Sequence, residues 1–168
     1  MMFNVGFGSE NRENRIRKIA KEDLTVGVIL AAVHFEWMMK RAILALGTSP
    51  TPQLREELKD VSRRVSQKRK DGYQQTGFDT IWKREVDARI NKRSALGTVL
   101  GKLTDIRDKA IKTRGHIIHG NGTVKKASAE EAIDLYLNAG AKLRLFANKH
   151  GVDLDSRLKA RIKSGARP

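Results

Sequence analysis

The chain has 168 residues, with 34 Lys or Arg against 19 Asp or Glu, a formal net charge of +15, and 39% apolar and 32% charged residues. That length suits one domain with a real hydrophobic core, and the mixture is too apolar for a disordered chain and too charged for a membrane protein. The absence of cysteine removes disulfides, thiolate metal sites and cysteine nucleophiles together, and fits a reducing compartment.

The opening MMFNVGFGSENREN has no basic start followed by an apolar core, so no leader peptide is expected. Residues 10–20 read as a short amphipathic helix with Ile16, Ile19 and Ala20 on one side. From Leu24 to Leu46 the apolar positions Leu24, Val28, Ala31, Phe35, Met38, Ala42 and Ala45 step by four and three, and Ile29, Leu30, Val33, Trp37, Met39, Ile43 and Leu44 fill most of the remaining circumference. A helix apolar nearly all round is a central one with several neighbours. Its longest apolar run, Val26 to Val33, falls short of the ~20 residues that cross a bilayer, and a cytoplasmic protein without membrane contact is expected. His34 inside this helix reads as a core histidine, and Glu36 and Lys40 are spaced for an ion pair. Gly47 ends the helix.

Thr51 is placed to cap the next helix with Pro52 in its first turn, running to about Lys70 along Leu54, Leu58, Val61 and Val65. Asp71-Gly72 breaks it. Residues 78–90 read as helical with Phe78, Ile81, Trp82 and Val86 inward. Residues 94–118 read as one long helix along Leu96, Val99, Leu100, Leu103, Ile106 and Ala110, with Gly97 and Gly101 spaced for close helix approach. His119-Gly120-Asn121-Gly122 stops it. Ser128 is placed to cap the last long helix, with Ile133, Leu135, Leu137, Leu143, Leu145 and Phe146 as its apolar positions and residues 148–151 as its end. The expected fold is therefore all-α, a compact bundle of about five helices over residues 1–155, with a basic, flexible tail over 156–168.

The positive charge is uneven. Residues 94–126 carry seven basic and two acidic residues, among them Lys109, Lys112, Lys125 and Lys126; a second cluster holds Arg63, Arg64, Lys68, Arg69 and Lys70. Such local excess favours a polyanionic partner, since neutralising phosphates releases counterions. Lys109, Lys112, Lys125, Lys126, Arg63 and Arg64 are the candidate nucleic-acid contacts. There is no glycine-rich phosphate loop, no HExxH and no acidic ladder for Mg²⁺.

The chemically informative segment is Arg114-Gly115-His116-Ile117-Ile118-His119-Gly120-Asn121, at a helix end beside the most basic stretch. Arg114 offers a planar, permanently charged fork for a phosphate, and His119 is the residue type suited to proton transfer near neutral pH. An arginine, four intervening residues and a histidine near a helix end followed by glycine, on an all-α background, resembles the HEPN superfamily. The resemblance is sharp over 103–122 and loose over about 10–150.

The resemblance implies a metal-independent endoribonuclease without cofactor, of the toxin or defence-effector kind, acting as a homodimer in which two Arg–His motifs face one cleft, with an antitoxin or sensor protein as partner. Arg114 would grip the scissile phosphate. His119 would take the proton from the ribose 2′-hydroxyl or give one to the leaving 5′-oxygen, producing a 2′,3′-cyclic phosphate end. His116 and Glu36 would support them. Two departures stand out: Gly115 occupies the place where the family usually carries a polar residue, and Arg114 and His119 lie ~140° apart on an ideal helix. The alternatives are a non-catalytic module of the same fold that binds nucleic acid or assembles with a partner, and an unrelated helical DNA-binding protein using the Arg63–Lys70 stretch in a groove.

Overall fold

The computed structural model describes residues 9–64, 77–90, 95–101 and 103–164, and these form helices and connecting turns with no strand among them. In chain order they are α1 (Ser9–Glu22), α2 (Leu24–Leu46), α3 (Thr51–Arg64), α4 (Phe78–Trp82) continued by a π-helical turn (Lys83–Asp87) and α5 (Ala88–Ile90), then α6 (Leu96–Leu100), α7 (Leu103–Asp105) continued by a second π-helical turn (Ile106–Ile111), α8 (Lys112–His119) and α9 (Lys126–Lys149). No described helix is long and apolar enough to cross a membrane.

The chain forms two compact units, one from Met1–Met38 with Lys102–Lys142, the other from Met39–Gly101 with Leu143–Pro168. Helices α2 and α9 are unbroken and each contributes one half to each unit.

In the first unit, Ile16, Val28, Ala31, Ala32, Phe35, Ile106, Ala110, Ala132, Ile133, Tyr136 and Leu137 are buried. Small residues let the helices approach: a Cβ on Gly27 would meet Ala20 Cβ at 2.6 Å, so α1 lies directly on the start of α2. The Phe35 and Tyr136 rings meet at 5.6 Å, joining α2 to α9. His34 is buried as a core histidine, with Nε2 3.3 Å from Glu13 Oε1 and its ring over Trp37.

The second unit packs Ala42, Ile43, Leu46, Leu54, Leu58, Val61, Ile81, Trp82, Val86, Leu143 and Leu154. Its polar centre is Glu85, which the apolar pattern did not single out. The carboxylate is buried and accepts from Ser49 N at 2.8 Å, Ser49 Oγ at 2.7 Å, Thr48 N at 3.0 Å and Arg84 Nε at 2.9 Å. It thereby closes the turn after α2. Burial alone would push its pKa up, but these bonds outweigh that and hold it at about 2.

Several local expectations change. Residues 94–118 are not one helix: Gly101, at φ +83°, ends α6, and a π-helical turn follows, so Gly97 and Gly101 do not line a helix groove. Thr51 does not cap α3 through its hydroxyl. Its Oγ1 accepts from Arg161 N, and its N–H donates to Arg161 O, both at 2.8 Å. Arg161, within the stretch expected to be a loose tail, is only 8% exposed, and its Nε donates to Ser49 O at 2.8 Å. Helix α9 starts two residues before Ser128, and Leu145, expected inward, is 62% exposed while Tyr136 takes an inward place. Val33 is 55% exposed, so one stripe of α2 stays uncovered. Val65, Lys68, Arg69, Lys70 and Asp71-Gly72 lie outside the described residues.

Because the Glu85 carboxyl sits lower in the fold than its ordinary 4.5, the folded state holds fewer protons there. Its stabilisation is complete above about pH 4.5 and fades as pH falls toward 2. Glu85→Gln is expected to cost on the order of 3 kcal/mol at pH 7 in urea unfolding, with the gap to wild type closing as pH is lowered to 2.

Candidate active site

The Arg–His segment is carried by α8, which remains α-helical from Lys112 to His119 with no unwinding at Gly115. Its end is fixed by backbone bonds. Gly120 adopts φ +63°, Asn121 N donates to His116 O at 3.0 Å, and Gly120 N reaches Ile117 O at 3.4 Å. This pair satisfies two of the last carbonyls of the helix. His119 is therefore the final helical residue, exposed to solvent.

Arg114 sits one and a half turns earlier, half-buried, in the first unit. Its Nη2 lies 3.8 Å from Glu36 Oε1 on α2, and both side chains are about one-third exposed. A pair this long and this exposed adds little stability. Nε of Arg114 is buried and has no hydrogen-bond acceptor among the described residues. Tyr136 of α9 completes the surroundings. Burial drives its phenol pKa well above the ordinary value, with the Arg114 charge pulling it back and Glu36 adding to the rise. Arg114 is thus held among α2, α8 and α9 with one donor unspent.

His116 makes a bond that its neighbours in sequence conceal. Its Nδ1 lies 3.0 Å from Asn121 O. A carbonyl oxygen only accepts, so Nδ1 carries the proton and Nε2 is the nitrogen left for other contacts. His116 and His119, three apart, lie on one side of α8, whereas Arg114 and His119 are ~140° apart.

Of the cations expected to meet nucleic acid, Lys109 is committed to Glu131 at 2.6 Å and Lys126 lies 3.9 Å from Glu130. Lys112 and Lys125 are exposed and have no carboxylate within 4 Å among the described residues. All four belong to the unit that holds Arg114. Arg63 and Arg64, at the end of α3, belong to the other unit. Among the described residues no group of three or more His, Asp or Glu could hold a metal ion.

Tyr136 and the His116–Asn121 bond escape a reading of side-chain types, the first because a tyrosine in an apolar run reads as core, the second because its acceptor is backbone. No family model matches the chain, and neither a curated protein nor a solved structure does.

Gly115 has open space where a Cβ would stand, with nothing within 4 Å, and its helical position needs no glycine. Gly115→Ala is expected to stabilise the protein by about 0.5–1 kcal/mol, read as a raised thermal midpoint. Gly120→Ala, at φ +63°, is expected to lower it by about 1 kcal/mol.

Proposed function

We propose that the protein is a metal-independent endoribonuclease of the HEPN type, working through Arg114 and His119. The observation that carries this reading is the Arg114 guanidinium: half-buried, with a buried Nε donor unspent within the protein, on the same short helix as the exposed imidazole of His119. A guanidinium in that state is ready for a phosphate oxygen. The local charge excess of residues 94–126 supports the same substrate class.

The chemistry is a transesterification within one RNA strand. The ribose O2′ attacks phosphorus, the P–O5′ bond breaks, and the proton lost from O2′ is matched by one gained at O5′. The products are a 2′,3′-cyclic phosphate and a 5′-hydroxyl. Arg114 binds a non-bridging oxygen and stabilises the charge that builds on the pentacoordinate phosphorus. His119 serves as base at O2′ or as acid at O5′. Cleavage needs both transfers, and a second copy of the chain supplies the second imidazole, so the working form is a homodimer. The 2′-hydroxyl requirement confines the substrate to RNA. A nuclease of this kind endangers the cell that makes it, which ties the reading to a neutralising or sensing partner protein.

The test is cleavage of a fluorescent single-stranded RNA. Activity is expected to survive EDTA, to leave 2′,3′-cyclic phosphate ends, and to fall at least 100-fold in His119→Ala and in Arg114→Ala. RNA binding without cleavage, unchanged in His119→Ala, would overturn the proposal in favour of a non-catalytic binding module.

A further inference from the structure

Beside the Arg–His segment, within the same unit, α8, the preceding π-helical turn, the connection 120–125 and the first turns of α9 enclose a cavity of about 320 Å³. Its lining includes Lys112, His116, Thr123, Lys125 and Ser128. The acidic groups on its wall are answered from elsewhere: Asp108 is bonded to Arg107 at 2.7 Å, which holds its carboxyl below the usual range with help from the field of Lys112, and Glu131 is bonded to Lys109 at 2.6 Å. Lys112 and Lys125 are left as uncompensated charges facing a concave, hydroxyl-bearing surface.

His116 adds direction. The Asn121 carbonyl takes its Nδ1–H and fixes the ring, so Nε2 is the nitrogen available on the cavity wall. When the ring is protonated, Nε2–H donates while Nδ1–H keeps its bond to Asn121, and a phosphate oxygen is the acceptor that gains most from that arrangement. The cavity is small enough for one phosphate with part of its sugar and too small for a folded nucleic acid.

We propose that this cavity is a phosphate subsite that takes the backbone phosphate neighbouring the scissile one in a single-stranded RNA, with Lys112 and Lys125 neutralising it and His116 Nε2 bonding it. This rests on the ribonuclease reading for the identity of the ligand, while the site itself is defined by its own residues. His116 is thereby a binding residue, separate from proton transfer at the scissile bond. The subsite spans only a short stretch of α8 from His119, so the strand is registered on the helix that carries the chemistry.

The experiment has two parts. First, adenosine 3′-monophosphate and inorganic phosphate are titrated into the isotope-labelled wild-type protein while the His116 ring signals are followed by NMR; saturable movement of those signals is expected, and is expected to vanish in the double variant Lys112→Gln/Lys125→Gln, whose exposed positions leave the helical circular dichroism unchanged. Second, cleavage of a single-stranded oligoribonucleotide is compared: the double variant is expected to raise KM roughly tenfold with kcat unchanged and to flatten the salt dependence of binding by about one to two phosphate contacts. Saturable binding at His116 in a protein that cleaves nothing sustains the subsite and removes the ribonuclease reading. Cleavage with an unaltered KM in the double variant, or still His116 signals in the wild type, overturns the subsite and leaves the ribonuclease reading standing.

Discussion

Phe35 against Tyr136, and Gly140 presenting no side chain to His34 and Met38, bring α2 and α9 together in the first unit. An added Cβ at Gly140 would lie 3.6 Å from both of those side chains, so the contact is close but unforced. Everything at the candidate site hangs on this pair. Glu36 follows Phe35 directly and is carried to Arg114, Tyr136 is set behind the guanidinium, and Glu131, more than one turn before Tyr136, is placed to hold Lys109. A loosened α2–α9 contact would leave Arg114 without its surroundings even with α8 intact.

The electrostatics of the first unit separate spent charges from available ones. Arg17 with Asp134, Lys109 with Glu131 and Arg107 with Asp108 are paired at 2.6–2.7 Å and contribute little to an incoming anion. Arg114 keeps only a distant carboxylate, and Lys112 and Lys125 none within 4 Å among the described residues. The net charge of the chain thus understates how selective the surface is. A polyanion meets few strong contacts, and they cluster on α8 and the connection that follows it.

Much of the architecture was legible because it rests on side-chain periodicity. The bounds of α2 follow from its apolar circumference and from Gly47, and the inward set Ile81, Trp82 and Val86 follows from helical spacing. What was not legible depends on the backbone. The break at Gly101 needs a positive φ that apolar spacing does not reveal, and π-helical turns keep nearly the same inward residues as an α-helix would. Glu85 was hidden because a carboxylate in an amphipathic stretch reads as solvent-facing until the donors of Thr48 and Ser49 are found around it. At the site, the residue types were readable and their partners were not, since Arg114 meets groups from α2 and α9, and His116 meets a carbonyl.

The π-helical turn from Ile106 to Ile111 lies between the buried anchor formed by Ile106 and Ala110 and the exposed end of α8. Such a turn accommodates one residue more than an α-helix would in the same span. It therefore acts as an angular offset. Its loss through a one-residue deletion would let the strand of hydrogen bonds run as plain α-helix and would swing all that follows by ~100° about the axis. Ile106 would stay in the core while the guanidinium turned away from Glu36. The orientation of the whole motif is in this sense a matter of residue count upstream of it, independent of which side chains the motif contains.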